Sequence, residues 1–199
     1  MLINELAKEV HENAVTHDWW DDDREAPEII ALIHSEWSEA LEEARAGRPL
    51  VYKLGVDEDA VSLITPDNPK YEKLFTKPEG VAVELIDGCI RILDLFGKMN
   101  VNTLDDDTNT PFEIEGLYAE EVACEIKGPL SHTVAFLHGF TSDALNTDTA
   151  TGGVNLGALT SAMALALSWV RNQGLDPLAI LLEKHEYNKS RPYKHGKKF

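Results

Sequence analysis

The stretch "PEIIALIHSEWSEALEEARAG", residues 27–47, constrains this chain more than any other. Its apolar residues recur three and four apart, a period that a helix satisfies and a strand does not. It therefore predicts a helix from about Glu28 to Ala46, with Pro27 in its first turn and Gly47 as its stop. Along one face runs the stripe Ile29, Ile33, Glu36, Ala40, in which a carboxylate stands where a core residue belongs. An inward carboxylate is costly unless something neutralises it. The fold must be a helical assembly that supplies that something to Glu36.

Helical spacing governs most of what remains. Leu6, Val10 and Ala14 mark a helix from Leu2 to about His17, ending at "HDWWDDDREAP". Pro78 and Glu79 open a third helix that reaches Phe96, with Gly97 as its expected stop. Residues 48–78 read as a loop with a short extended or helical piece, and "KMNVNTLDDDTNTP" as a linker. A helix over about 112–139, broken near Gly128-Pro129, is followed by one over Leu156–Gln173. A last helix runs from Pro177 to about Lys189. No alternating run is long enough to build a sheet, so the expected fold is all-α, one domain over residues 1–199.

The chain also carries an internal echo. "LIHSEWSEALEEARAG" overlays "LYAEEVACEIKG" with Glu36 on Glu121 and Glu39 on Cys124. "VAVELIDGCIRILDLFG" overlays "ALTSAMALALSWVRNQG", with Glu84 and Asp87 opposite Ser161 and Ala164. The second helix pair reads as a degenerate copy of the first, stripped of its carboxylates.

Two carboxylate pairs stand out. Residues three apart are neighbours on a helix, so Glu36 with Glu39 forms one chelating pair and Glu84 with Asp87 another. If all four converged at ~5 Å, each pair would repel by ~3 kcal/mol at an effective dielectric near 20. The six pairs together give roughly 20 kcal/mol, more than a domain's whole net stability. An inward cluster must be protonated or hold cations, and an oxygen-only set suits Mg²⁺ or Mn²⁺. The bland alternative is a solvated face along Glu84, Asp87, Arg91 and Asp94, with Asp87–Arg91 as an ordinary i,i+4 pair.

Charge distribution sharpens the choice. The formal net charge is −17, which opposes binding to nucleic acid, yet residues 184–199 hold six of the 18 Lys and Arg residues. A basic end on an acidic chain suits a polyphosphate that the carboxylates hold through cations. Arg offers phosphate a planar fork, Lys a movable charge, and Asn or Tyr neutral hydrogen bonds. The two cysteines, Cys89 and Cys124, give neither a zinc site nor a disulfide framework, which fits a reducing cytoplasm. The first residues are amphipathic, unlike a signal peptide, and no apolar run is suited to spanning a membrane.

The order Glu-x-x-Glu, Glu-x-x-Asp and a final "YNKSRPYKHGKK" resembles the MazG-like branch of the all-α nucleoside triphosphate pyrophosphohydrolases, over about residues 6–97 and 176–199. The resemblance implies a dimeric or tetrameric helical bundle that splits a nucleoside triphosphate into monophosphate and pyrophosphate with Mg²⁺. It makes Glu36, Glu39, Glu84 and Asp87 the metal ligands, with Glu36 or Glu39 as proton acceptor. Lys184, Asn188 and Arg191 become the phosphate contacts, with Tyr193, Lys194 and Lys197 of the tail beside them. Asn13, His17, Trp19 and Trp20 lie where such enzymes surround the base, and a guanine-preferring member serving bacterial or phage nucleotide pools is one concrete expectation. The gap between the carboxylate pairs is longer than usual for that family, and the helical insertion at 98–175 has no counterpart in its compact members.

Two rivals stand beside this reading. His17-Asp18, with His11, His34, His132 and His138, would suit an HD-type metal phosphohydrolase. The runs "DWWDDD" and "DDDTNT" would suit a non-enzymatic acidic protein that occupies a basic partner. No phosphate loop of the Gly-x-x-x-x-Gly-Lys type and no nucleophile elbow is present.

Overall fold

A computed structural model describes residues 1–22, 24–57, 60–64, 76–101, 112–119, 128–145 and 153–191. Its helices are α1 (Ile3–Thr16), α2 (Ala26–Arg45), α3 (Val81–Lys98), α4 (Leu130–Asp143), α5 (Leu156–Asn172) and α6 (Pro177–Ser190). A short 3-10 turn, Ile114–Tyr118, precedes α4. Thirteen of the 18 residues of α3 are buried, which requires neighbours on several sides. It has them: α3 packs against α1, α2, α5 and α6, while α4 joins α2 to α5. Residues from both the α1–α3 part and the α4–α5 part contribute to one core.

The helix ends follow from local chemistry. Pro177 starts α6 behind Asp176, whose Oδ1 accepts from the Leu178 and Ala179 N–H groups at 3.1 and 3.2 Å. Gly47 ends α2 in the left-handed region at φ 68°, as the sequence predicts. α3 corrects the expectation for Gly97, which lies inside the helix. The stop is Asn100 at φ 51°, with Asn100 N–H bonded to Gly97 O and Val101 N–H to Phe96 O, both at 3.0 Å. Gly97 is small for another reason. A Cβ there would run into the Ala7 carbonyl and the His11 side chain, so its absence lets α1 lie directly on α3. Asp18, at φ 60°, ends α1 in the same left-handed way as Asn100 ends α3 and turns the chain into Trp19 and Trp20.

The region expected to be a loop with a short extended or helical piece holds a small antiparallel sheet, set in a fold that is mostly helical, consistent with the all-α expectation. Strand β1 (Tyr52–Asp57) is central, between β2 (Ala60–Ile64) and β3 (Thr76–Glu79). Tyr52 pairs with Glu79 and Lys53 with both Pro78 and Ile64. Strands of four to six residues are too short to display a readable alternation. Their consequence is positional: β3 delivers Lys77, Pro78 and Glu79 to the start of α3. Among the described residues no helix is long and apolar enough to cross a membrane.

Candidate active site

The close approach of α2 and α3 creates the site. Gly88 presents no side chain, and the Trp37 ring fills the space where a Cβ would collide with it. Trp37 is itself anchored, its Nε1–H donating to Thr141 Oγ1 at 2.9 Å. With the two helices so close, one carboxylate oxygen each from Glu36, Glu39 and Glu84 lie within 4.8 Å of one another. Glu36 and Glu84 are 7% and 5% exposed, whereas Glu39 is open to solvent. The inward direction expected of Glu36 is observed.

The repulsion that this convergence implies is relieved from within the protein. Arg91 Nε–H donates to Glu36 Oε1 at 3.0 Å. Lys184, 2% exposed, donates to Pro78 O at 3.2 Å and pairs with Asp87 Oδ2 at 2.8 Å. Burial would lower the Lys184 pKa, but the Asp87 carboxylate beside it is the first of the influences that raise it instead. Burial, reinforced by Asp87, pushes Glu84 up to about 9, so it keeps its proton at neutral pH. That proton serves Glu79, a buried carboxylate at the end of β3. Burial pushes Glu79 up, yet hydrogen bonds from Lys77 and Glu84 hold it below the usual range. Burial likewise raises Glu36, against the opposing pull of Arg91.

Two expectations change here. Asp87, expected as a fourth metal ligand, lines the cleft beside the converging trio and is engaged by Lys184, which was expected at a phosphate and is here the buried partner of Asp87. The Asp87–Arg91 surface pair does not form, since both residues turn to other helices.

A cleft of about 140 Å³ opens over the carboxylates. Its walls bring together Asn13, His17, Trp19, Glu36, Glu39, Glu84, Asp87, Lys184, Asn188 and Arg191. Trp20 lies apart: its Nε1–H donates to Asp94 Oδ1 at 2.9 Å, under the Lys98 ammonium. Trp19 is flanked by the Arg24 and Arg91 guanidinium groups, 5.4 and 5.5 Å from its ring. Tyr193, Lys194 and Lys197 lie outside the described residues, as do Glu121 and Cys124.

Sequence reasoning missed Glu79, Lys77 and His185, and misjudged Arg91. Arg91 was legible, because Glu84, Asp87 and Arg91 share one helix face at spacings of three and four. Lys77 and Glu79 were not, because their placement depends on the sheet. His185 lines the cleft with neither ring nitrogen hydrogen-bonded, and Asn188 Oδ1 is likewise buried without a partner. Burial lowers the His185 pKa, and the nearest carboxylate oxygen, Glu9 Oε1, is 3.5 Å from its Nε2. Arg191 has no carboxylate within ion-pair distance among the described residues; its guanidinium lies over the Tyr187 ring at 5.7 Å.

Among the other described histidines, His17 lines the cleft, whereas His11, His34 and His138 are engaged away from the converging carboxylates. His11 Nδ1 meets Asp94 Oδ1 at 2.8 Å, and His17 Nδ1 meets the Asn13 carbonyl at 2.8 Å. His34 and His138 meet Nδ1 to Nδ1 at 2.7 Å where α4 packs on α2. No family model matches the chain, and neither a curated protein nor a solved structure shows significant similarity to it.

Proposed function

We propose that this cleft hydrolyses a nucleoside triphosphate to the monophosphate and pyrophosphate, the activity implied by the resemblance to MazG-like pyrophosphohydrolases. One observation carries the reading: the converging carboxylates line the same cleft as Arg191, which has no carboxylate within ion-pair distance among the described residues. Carboxylates alone would repel a triphosphate, and a basic cleft alone would not hold a metal.

The trio suits a divalent cation. Its oxygens lie within 4.8 Å of one another, and opposite ligands of Mg²⁺ at about 2.1 Å are about 4 Å apart, so a small side-chain shift closes the set. Glu36, Glu39 and Glu84 would hold Mg²⁺ or Mn²⁺, and Glu84 must release its proton to do so. The ion would supply charge neutralisation and Lewis acidity toward the triphosphate. Glu39, the solvent-facing member, accepts the proton of the water that attacks the α-phosphorus. Glu36 is held in place by Arg91, and Arg191 meets the growing charge on the departing pyrophosphate. At the α1–α6 end, Asn13, His185 and Asn188 offer polar atoms to the nucleoside, with Val10 and Ala14 as apolar wall.

The histidine-based rival gains no support from this geometry, since among the described residues His11, His17 and the His34–His138 pair are engaged in three separate places. Incubation with mixed triphosphates and Mg²⁺, with products identified by mass, tests the proposal. Monophosphate with pyrophosphate is expected, and competing rates across the common nucleotides then report any purine preference. Glu36→Gln should abolish turnover and leave the thermal unfolding transition in place; full activity in that variant would sink the assignment.

A further inference from the structure

We propose that His34 and His138 form a binding site for a late first-row divalent cation, Zn²⁺, Ni²⁺ or Cu²⁺, at the joint between α2 and α4. The site is separate from the carboxylate cleft and does not rest on the hydrolase reading.

The two rings come from helices far apart along the chain and meet Nδ1 to Nδ1 at 2.7 Å. Their planes are 13° apart and their centroids 5.0 Å apart. With the centroids so much farther apart than the nitrogens, the rings meet through their nitrogen-bearing edges and not face over face. A hydrogen bond between two Nδ1 atoms needs one proton and one free lone pair, so at least one ring is neutral as it stands. Among the described residues neither histidine has a carboxylate within ion-pair distance, whereas His11 is held by Asp94. Two imidazole nitrogens at ~2.0–2.1 Å from one ion stand about 3 Å apart. A turn of both rings toward a common point therefore converts the hydrogen bond into a pair of ligands.

The surroundings fit that role. Ser142 Oγ stands 3.4 Å from His34 Nε2, where it accepts from the ring N–H and leaves His34 Nδ1 its lone pair. One turn farther along the same helices, Trp37 Nε1–H donates to Thr141 Oγ1 at 2.9 Å, with both side chains fully buried. That bond holds α2 and α4 in register, so the two histidines are in place before an ion arrives. Both rings are half-buried, which leaves an approach from solvent and open positions for water on the ion. The net charge of −17 favours cations near the surface. Imidazole suits zinc, nickel and copper, whereas the oxygen set of the cleft suits Mg²⁺ or Mn²⁺, so the two places take different metals.

Electron paramagnetic resonance of the full chain with one equivalent of Cu²⁺, in excess Mg²⁺, tests the inference, because nitrogen coupling counts the imidazoles on the ion. Wild type should show two. His138→Ala should lose the two-nitrogen signal and at least about tenfold in Cu²⁺ affinity. His132→Ala, which removes an exposed histidine of the same helix, should keep both. Zn²⁺ should raise the melting temperature of wild type and not of His138→Ala, since the ion binds only where α2 and α4 are packed. If His138→Ala folds poorly, His138→Gln keeps a hydrogen-bonding side chain against His34 and should show the same losses. Fewer than two imidazoles on wild-type Cu²⁺, a two-nitrogen signal that survives in the folded His138 variant, or a wild-type melting temperature that Zn²⁺ does not raise would each overturn the inference. None of these outcomes bears on turnover in the cleft, and a chain that releases no pyrophosphate leaves this site standing.

Discussion

α3 and α5 are both long, apolar and central, yet they treat their polar side chains in opposite ways. In α5, Thr160 and Ser161 hydroxyls fold back on the carbonyls of Leu156 and Gly157, each at 2.9 Å, while the buried Ser168 reaches Leu117 O at 3.5 Å. In α3, every charged residue from Glu84 to Asp94 finds its partner elsewhere: Glu84 on Glu79, Asp87 on Lys184, Arg91 on Glu36, and Asp94 on His11 and Trp20. A helix whose polar groups are satisfied locally is a structural element. One whose polar groups depend on its neighbours becomes a site. The overlay of the two helices therefore has chemical content, since Glu84 and Asp87 of α3 face Ser161 and Ala164 of α5 in it.

The comparison breaks most sharply at Asp87. Asp87→Ala, which gives α3 the residue of α5, leaves the buried Lys184 without its counter-ion and should cost about 3–5 kcal/mol in urea unfolding. A loss no larger than that of a surface substitution would mean that α3 does not depend on α6 for its charge balance.

The next test is pH. Glu84 is protonated in the fold, with its pKa raised from 4.5 to about 9, and ionised in the unfolded chain at neutral pH. The stability it contributes is whole below pH 4.5 and drains away as pH rises toward 9, on the order of a few kcal/mol in the absence of metal. Glu84→Gln should flatten that alkaline limb in a series of melting temperatures, whereas Ser161→Ala in α5 should leave its slope untouched.

Gly97 and Gly174, which the overlay superimposes, separate the helices by a third criterion. Gly174 is a left-handed stop at φ 80° with open space around it, so Gly174→Ala should cost about 1 kcal/mol. Gly97 lies against the backbone of α1, so Gly97→Ala should cost more, about 1–3 kcal/mol, by forcing α1 away from α3. Equal losses in chemical denaturation would erase this distinction. The smallest effect belongs to Ser161→Ala, within about 0.5 kcal/mol, because its hydroxyl serves only its own helix.

Much of this was legible in the amino-acid order. Pro27, Gly47 and Pro177 mark helix ends by local backbone chemistry, and the structure keeps all three near their expected places. Glu36 announced itself by interrupting an apolar stripe. Gly97 misled because glycine at a helix end and glycine at a helix crossing look alike until the second helix is in place. The sheet escaped notice because its strands pair through backbone groups that every residue carries.

What the sequence by itself determined was most of the helices and the inward face of Glu36, since periodicity is a property of neighbouring residues, whereas the helix expected from about Phe112 begins as a 3-10 turn at Ile114–Tyr118. Only the tertiary structure decided which charge answers which: Arg91 for Glu36, Lys184 for Asp87, a shared proton between Glu84 and Glu79. Those choices lie between residues distant along the chain. Their energies depend on separation and on exclusion of water, and neither exists before the helices pack.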